Sequence, residues 1–156
     1  MTSDLPRLSS RLFNGLALLT VAIPVVAWST LLPVHTVRGK MDYLTVNSVE
    51  FYPVASETTA SWKESTYSNF ANLRAQNKAG DTYEFSLVST KTSERGTLYG
   101  FWNVTKNGEP ECTGCTGGIY VTDPNSGYPY LKGFVSTQSN YYQYTFGGNV
   151  TSRSDY

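Results

Sequence analysis

Two cysteines, Cys112 and Cys115, stand two residues apart in "NGEPECTGCTGGIYV", Asn107 to Val121, and the chain has no others. A CxxC pair supports three chemistries: dithiol exchange, half of a tetrahedral zinc site, or a structural disulfide. Exchange needs a thiolate stabilised by the N-terminus of a helix that follows a strand. Here "TGGIYV" follows, a turn and then a strand pattern, which disfavours redox catalysis. Zinc needs four ligands, and without a second pair a partner chain would have to complete the set. In an oxidising exported compartment the ordinary outcome is a disulfide, here closing a very small loop. The pair is expected as a strap on a long loop between a strand ending near Thr105 and one beginning near Gly118. An Asn107-Gly108 turn would open that loop and Pro110 would bend it.

Over "CTGCTGG" alone the chain resembles one unit of the CxxCxGxG zinc motif of DnaJ-type chaperones. The resemblance implies zinc, but the last glycine of the motif is missing and the unit occurs once rather than four times. No metal or other cofactor is expected.

The single histidine, His35, ends an apolar segment and is expected outside the folded domain. That placement removes imidazole acid–base catalysis, serine or cysteine triads and most zinc hydrolase sites. Glu84, Glu94, Glu109, Glu111 and Asp123 are the candidates for a glycosidic carboxylate pair, although no sequence spacing pairs them. A non-enzyme is therefore expected, with a small glycoside-active enzyme as the last alternative. Asn103-Val-Thr105 and Asn149-Val-Thr151 are sequons that accept glycans where a host modifies exported chains.

Trp102 alternates in phase with Leu98 and Val104, and Trp62 falls in phase with Phe70, so both are expected in a core. Tyr128, Tyr130, Tyr141 and Tyr142 lie near turns and are the candidates for an exposed contact patch. Such a patch binds proteins as readily as sugars, since the ring gives area and the hydroxyl a polar handle.

The elements that must position these residues begin after an uncharged stretch. Residues 12–34 carry no charge and follow Arg7 and Arg11. As a helix they span on the order of 35 Å, enough for a bilayer core of about 30 Å. Pro24, with Ala27 and Ser29 as cleavage positions, equally suits a signal peptide. Either way the remainder lies on the non-cytoplasmic side, anchored or secreted. The expected organisation is a polar n-region (1–11), the anchor or signal (12–34), a linker (35–41), a β-rich domain (42–148) and a polar tail (149–156).

Lysine plus arginine equals aspartate plus glutamate at 12 each, so no basic field exists to hold nucleic acid. Charged residues make up 15% of the chain against about 25% in average soluble proteins, and twelve tyrosines favour a pleated, half-buried surface. From Asp42 onward apolar residues recur with period two. "YLTVNSVEFYPV" reads as a first strand, "TYEFSLVST" and "GTLYGFWNVT" as a hairpin around "KTSERG", and "GIYVT", "YLKGFVST" and "YYQYTF" as a meander. "SWKESTYSNFANLRAQNKAG" carries helical marks: Ser61 with Glu64 as a capping box, Trp62, Thr66, Phe70 and Leu73 near helical spacing, and Gly80 as a stop. The expected fold is mainly β, an antiparallel β-sandwich or flattened barrel, with one short helix over 61–76 and an N-terminal apolar helix.

Tyr156 resembles the terminal aromatic of outer-membrane barrels, but "TSRSD" before it lacks alternation, and too few strands and no lipid-facing band are expected. These features favour protein contacts, or self-assembly, in a membrane or cell-surface assembly. A secreted carbohydrate-binding module using exposed tyrosines is the alternative.

Overall fold

In Thr97–Lys106 every second residue, Leu98, Gly100, Trp102 and Val104, is buried while those between are half-buried, so this segment can only be a strand with one face in a core. The same alternation recurs around the molecule. The computed structural model describes residues 34–63, 69–94, 96–122, 129–137 and 143–155. Residues 12–33, Asp123, Tyr128, Tyr141, Tyr142 and Tyr156 lie outside them, as do the side chains of Trp62 and Glu94. The strands are β1 (Val34–Val46), β2 (Val49–Phe51), β3 (Ala55–Lys63), β4 (Phe70–Gln76), β5 (Thr82–Glu94), β6 (Thr97–Lys106), β7 (Glu109–Thr122), β8 (Tyr130–Ser136) and β9 (Gln143–Asp155).

Each strand pairs antiparallel with the next along the wall, and β9 returns to pair with β1. β2 and β3 pair successively with the two halves of β1, Leu44↔Phe51 in one and Gly39↔Thr58 in the other. The result is a closed eight-strand barrel with one extra short strand. Between β2 and β3 the Ser56 side chain replaces the missing ladder: its hydroxyl accepts from Met41 N–H at 2.9 Å and donates to the Met41 carbonyl at 3.1 Å. At the β1–β9 seam the backbones approach so closely that a Cβ on Gly148 would overlap the Lys40 carbonyl oxygen. Two register shifts bend that seam, one with Thr151 of β9 and one with Asp42 of β1 as the extra residue.

Side chains fill the interior, as an eight-strand barrel permits. Trp102, Tyr144, Phe85 and Phe146 are fully buried. The Phe85 ring meets Tyr144 edge-on at 5.3 Å and Phe146 at 5.6 Å. β3 and β4, next to β5 in the wall, line the interior with the smaller Thr58, Ala60, Ala71, Leu73 and Ala75. Burying each large apolar side chain contributes roughly 1.5–3 kcal/mol, so the rings carry much of the core.

Several sequence expectations change. No helix exists among the described residues, and those of 61–76 form the end of β3 and all of β4. Helical spacing of Phe70 and Leu73 is misleading because Ala71, Leu73 and Ala75 face inward while Phe70 points out. The first strand is really a hairpin: Asn47 and Ser48, with φ of 50° and 69°, turn β1 into β2. Residues 35–41, expected as a linker, belong to β1, and 149–155, expected as a tail, complete β9. His35 therefore lies in the barrel wall, where it pairs with Trp62 and Asp155. The mainly β, antiparallel expectation stands, and of the sandwich and the barrel it is the barrel that forms. The "KTSERG" hairpin, the meander and the burial of Trp102 stand as read.

Candidate functional site

Cys112 and Cys115 lie inside β7, which starts at Glu109 directly after the Asn107-Gly108 turn, so the expected long loop is a strand. Residues three apart on a regular strand face opposite sides. Here Val104 pairs with Cys112 and Trp102 with Cys115, so the single residue Asn103 opposes both Thr113 and Gly114. This bulge rotates both cysteines to the inner face, where they are 8% and 3% exposed and joined as a disulfide. Gly114 supplies the φ of 65° that the bulge requires, and its N–H donates to Asn103 Oδ1 at 3.0 Å. The pair clips a bulge into the core and meets solvent hardly at all. Gly, Thr and Pro made the stretch read as a loop; a second register shift beside Thr105↔Pro110 accommodates the proline.

The other candidates scatter. Asn103 is half-buried and engaged by the bulge, whereas Asn149 is exposed, with its amide donating to Asp42 Oδ2 at 2.7 Å. Among the candidate tyrosines only Tyr130 is described; it is half-buried, and its hydroxyl leans with Tyr43 over Gly147. Burial, then the charge of Asp42, raises the Tyr130 phenol above its ordinary pKa. Of the candidate carboxylates, Glu109 opens β7 and is exposed, Glu111 is half-buried two residues on, and Glu84 lines a groove on the outside of β3, β4 and β5. That groove has a volume of about 510 Å³ and also takes in Glu57, which sequence reasoning missed because register rather than spacing brings it there.

One end of the barrel carries the remaining features. Asp81 ties two turns together: Asn107 Nδ2 donates to its Oδ1 at 2.9 Å, Lys106 Nζ approaches its Oδ2 at 3.2 Å, and Asn77 Nδ2 donates at 3.3 Å. These partners, the Asn107 amide first, hold the Asp81 carboxyl below its ordinary pKa. Beside them Val49, Tyr52 and Val54 are 68%, 68% and 58% exposed, an exposed apolar edge on β2 and the bend after it, with the Tyr52 hydroxyl donating to Glu50 Oε1 at 2.9 Å. Among the described residues β2 pairs with β1 alone. A notch of about 350 Å³ separates Phe51 and Tyr52 from the turn at Asn77, Lys78 and Ala79.

Arg38, Lys40, Glu57, Arg74, Glu84 and Lys132 all face outward and are exposed. The barrel is thus apolar inside and charged outside, the reverse of a lipid-embedded barrel, where a cation at the midplane costs about 2–4 kcal/mol. Among the described residues no helix is long and apolar enough to cross a membrane, and no cluster of side chains could hold a metal ion. Comparison with protein-family models, curated proteins and solved structures gives no match to this chain.

Proposed function

We propose that this chain is a non-enzymatic, exported contact module, delivered by residues 12–34 and working through protein–protein contacts as a subunit of a membrane or cell-surface assembly. The exposed apolar side chains Val49, Tyr52 and Val54 at the edge strand β2 and the bend after it (the strip) carry this reading. A free strand edge lined with β-branched and aromatic residues is an aggregation liability unless a partner covers it. Nothing in the core uses these three side chains.

Position supports the same reading. The chain enters the wall at Val34, at one end of β1, and the strip follows the turn at the other end. Thirteen residues of β1 amount to roughly 40 Å of extended backbone. A barrel delivered or tethered from residues 12–34 would thus present the strip away from the membrane. The test is size measurement of the full chain after mild detergent extraction of its own membrane fraction. The native chain should elute in an assembly larger than a monomer. A Val49→Ser, Tyr52→Ser, Val54→Ser variant should elute as a folded monomer with an unchanged thermal melt. A monodisperse monomer for the native chain would overturn the proposal.

A further inference from the structure

Asparagine is a thermolabile residue, and Asn107 is followed by Gly108, the neighbour that leaves it most open to attack. The Gly108 backbone nitrogen can add to Asn107 Cγ and close a cyclic imide. The Cγ–N bond forms as the Cγ–Nδ2 bond breaks, and ammonia leaves with the Gly108 amide proton. Water then opens the imide at either carbonyl, leaving aspartate or its isomer with a lengthened backbone. Glycine favours the first step because no side chain obstructs the approach to its nitrogen.

The fold holds the pair out of that geometry. Asn107 and Gly108 form the two-residue turn between the paired Lys106 and Glu109, with φ of 52° and 81°. Asn107 Oδ1 accepts from Thr82 N–H at 2.8 Å, and Nδ2 donates to Asp81 Oδ1 at 2.9 Å. The Asn107 N–H donates to the Thr82 carbonyl, also at 2.8 Å. Turning Cγ toward the Gly108 nitrogen moves both Oδ1 and Nδ2, so it breaks both side-chain bonds. The residue is nevertheless exposed, so water and base reach it whenever those bonds open.

We infer that Asn107 is a deamidation site guarded by the closed rim, and that its conversion to a carboxylate weakens the tie between the β4–β5 and β6–β7 turns. The product has an acceptor where the native amide has a donor, and it faces Asp81 Oδ1. Two carboxylates at that distance repel. Lys106 Nζ approaches the other oxygen, Asp81 Oδ2, at 3.2 Å. The isomeric product also adds a carbon to the backbone of a turn whose ends are already paired. A chain that has stayed unfolded is thus marked at this position after it refolds. The inference needs no partner chain, so it and the assembly reading can fail separately.

Peptide mass spectrometry of the full chain, incubated in mildly alkaline buffer with and without urea, tests it. The peptide carrying Asn107 is read apart from the one carrying Asn14-Gly15, the other such pair in the chain. Asn107 should convert in urea, and in the folded chain it should convert about tenfold more slowly or slower still, since two hydrogen bonds must open first. Asp81→Ala removes the acceptor of the amide and should speed conversion in the folded chain by about threefold or more. Asn107→Asp makes the product directly and should melt about 3 °C or more below the native chain at neutral pH. An unchanged far-ultraviolet spectrum shows that both variants fold. The inference is overturned if Asn107 is stable in urea, if the folded chain converts as fast as the unfolded one, if Asp81→Ala converts no faster than the native chain, or if Asn107→Asp melts with it.

Discussion

The wall made by β3 and β4 and the wall made by β6 to β9 solve the same problem in opposite ways. The first is lined with Thr58, Ala60, Ala71, Leu73 and Ala75; the second sends in Trp102, Tyr144 and Phe146, with Phe85 of β5 between. Outside, Glu57 and Arg74 face solvent on the first wall, with Glu84 of β5 beside Arg74, while rings cover glycines on the second. Tyr99 and Phe134 pair with Gly118 from either side at a ring separation of 6.4 Å, and Tyr120 stacks on Phe134 at 6.4 Å. A closed barrel needs a full interior rather than a bulky residue on every strand, so large residues on one side allow small ones on the other.

The largest test of this contrast is Trp102→Ala. Truncating a fully buried tryptophan should cost about 3–5 kcal/mol in urea unfolding, because a closed, packed wall can collapse only partly into the space left. A loss below about 1 kcal/mol would break the picture of rings packed against a thin wall. Next is Gly148→Ala at the closing seam, where the new methyl would strike the backbone of Lys40 rather than a movable side chain. Overpacking there should cost about 3 kcal/mol by the same measurement.

Legibility in the sequence follows the same division. On β5, β6 and β9 the inward residues are Phe85, Trp102, Tyr144 and Phe146, and the period of two was read correctly. On β4 the inward residues are Ala71, Leu73 and Ala75, and alanine is as much a helix former as a small core residue, so "FANLRAQ" showed no usable alternation. Closure was not legible, since it depends on β1 meeting β9 across 113 residues, as Thr151 Oγ1 donating to the Arg38 carbonyl illustrates. The cysteine pair was legible as a disulfide. Its placement was not, because a single extra residue in a strand reverses which face every later side chain takes. Glu57 and Glu84 were brought together by register alone, which no spacing reports.

A smaller effect is expected at that clip. Replacing both Cys112 and Cys115 by serine should cost about 2 kcal/mol on the chain-entropy view of so short a loop. Urea unfolding of the variant against the native chain measures it. A loss above about 4 kcal/mol would mean that the bulge, and with it the inward orientation of β7, depends on the bond. Smaller again is Arg74→Ala on the thin wall, where loss of an exposed pair should change stability by less than about 1 kcal/mol. A larger loss would show that the polar row holds the wall together.

The smallest effect tests the point where the two walls are tied at the rim. Asp81 lies in the turn between β4 and β5, and Asn107 and Lys106 lie at the turn between β6 and β7. The Asp81 carboxyl titrates below its ordinary value in the folded chain, held there first by the Asn107 amide. Its contribution is therefore complete above an unfolded pKa of about 4 and is lost as pH falls through the lower folded value. Lys106 titrates above its ordinary value through the same contact, so its contribution is complete below about pH 10 and is lost as pH rises through the higher folded value. Between those limits the melting temperature of Asp81→Asn should lie below that of the native chain by a constant margin. In acid the margin should shrink, because the native carboxylate is neutralised while the variant has no charge to lose. A margin that persists unchanged well below pH 3 would mean that the amide contacts alone join the walls and that charge at the rim contributes nothing.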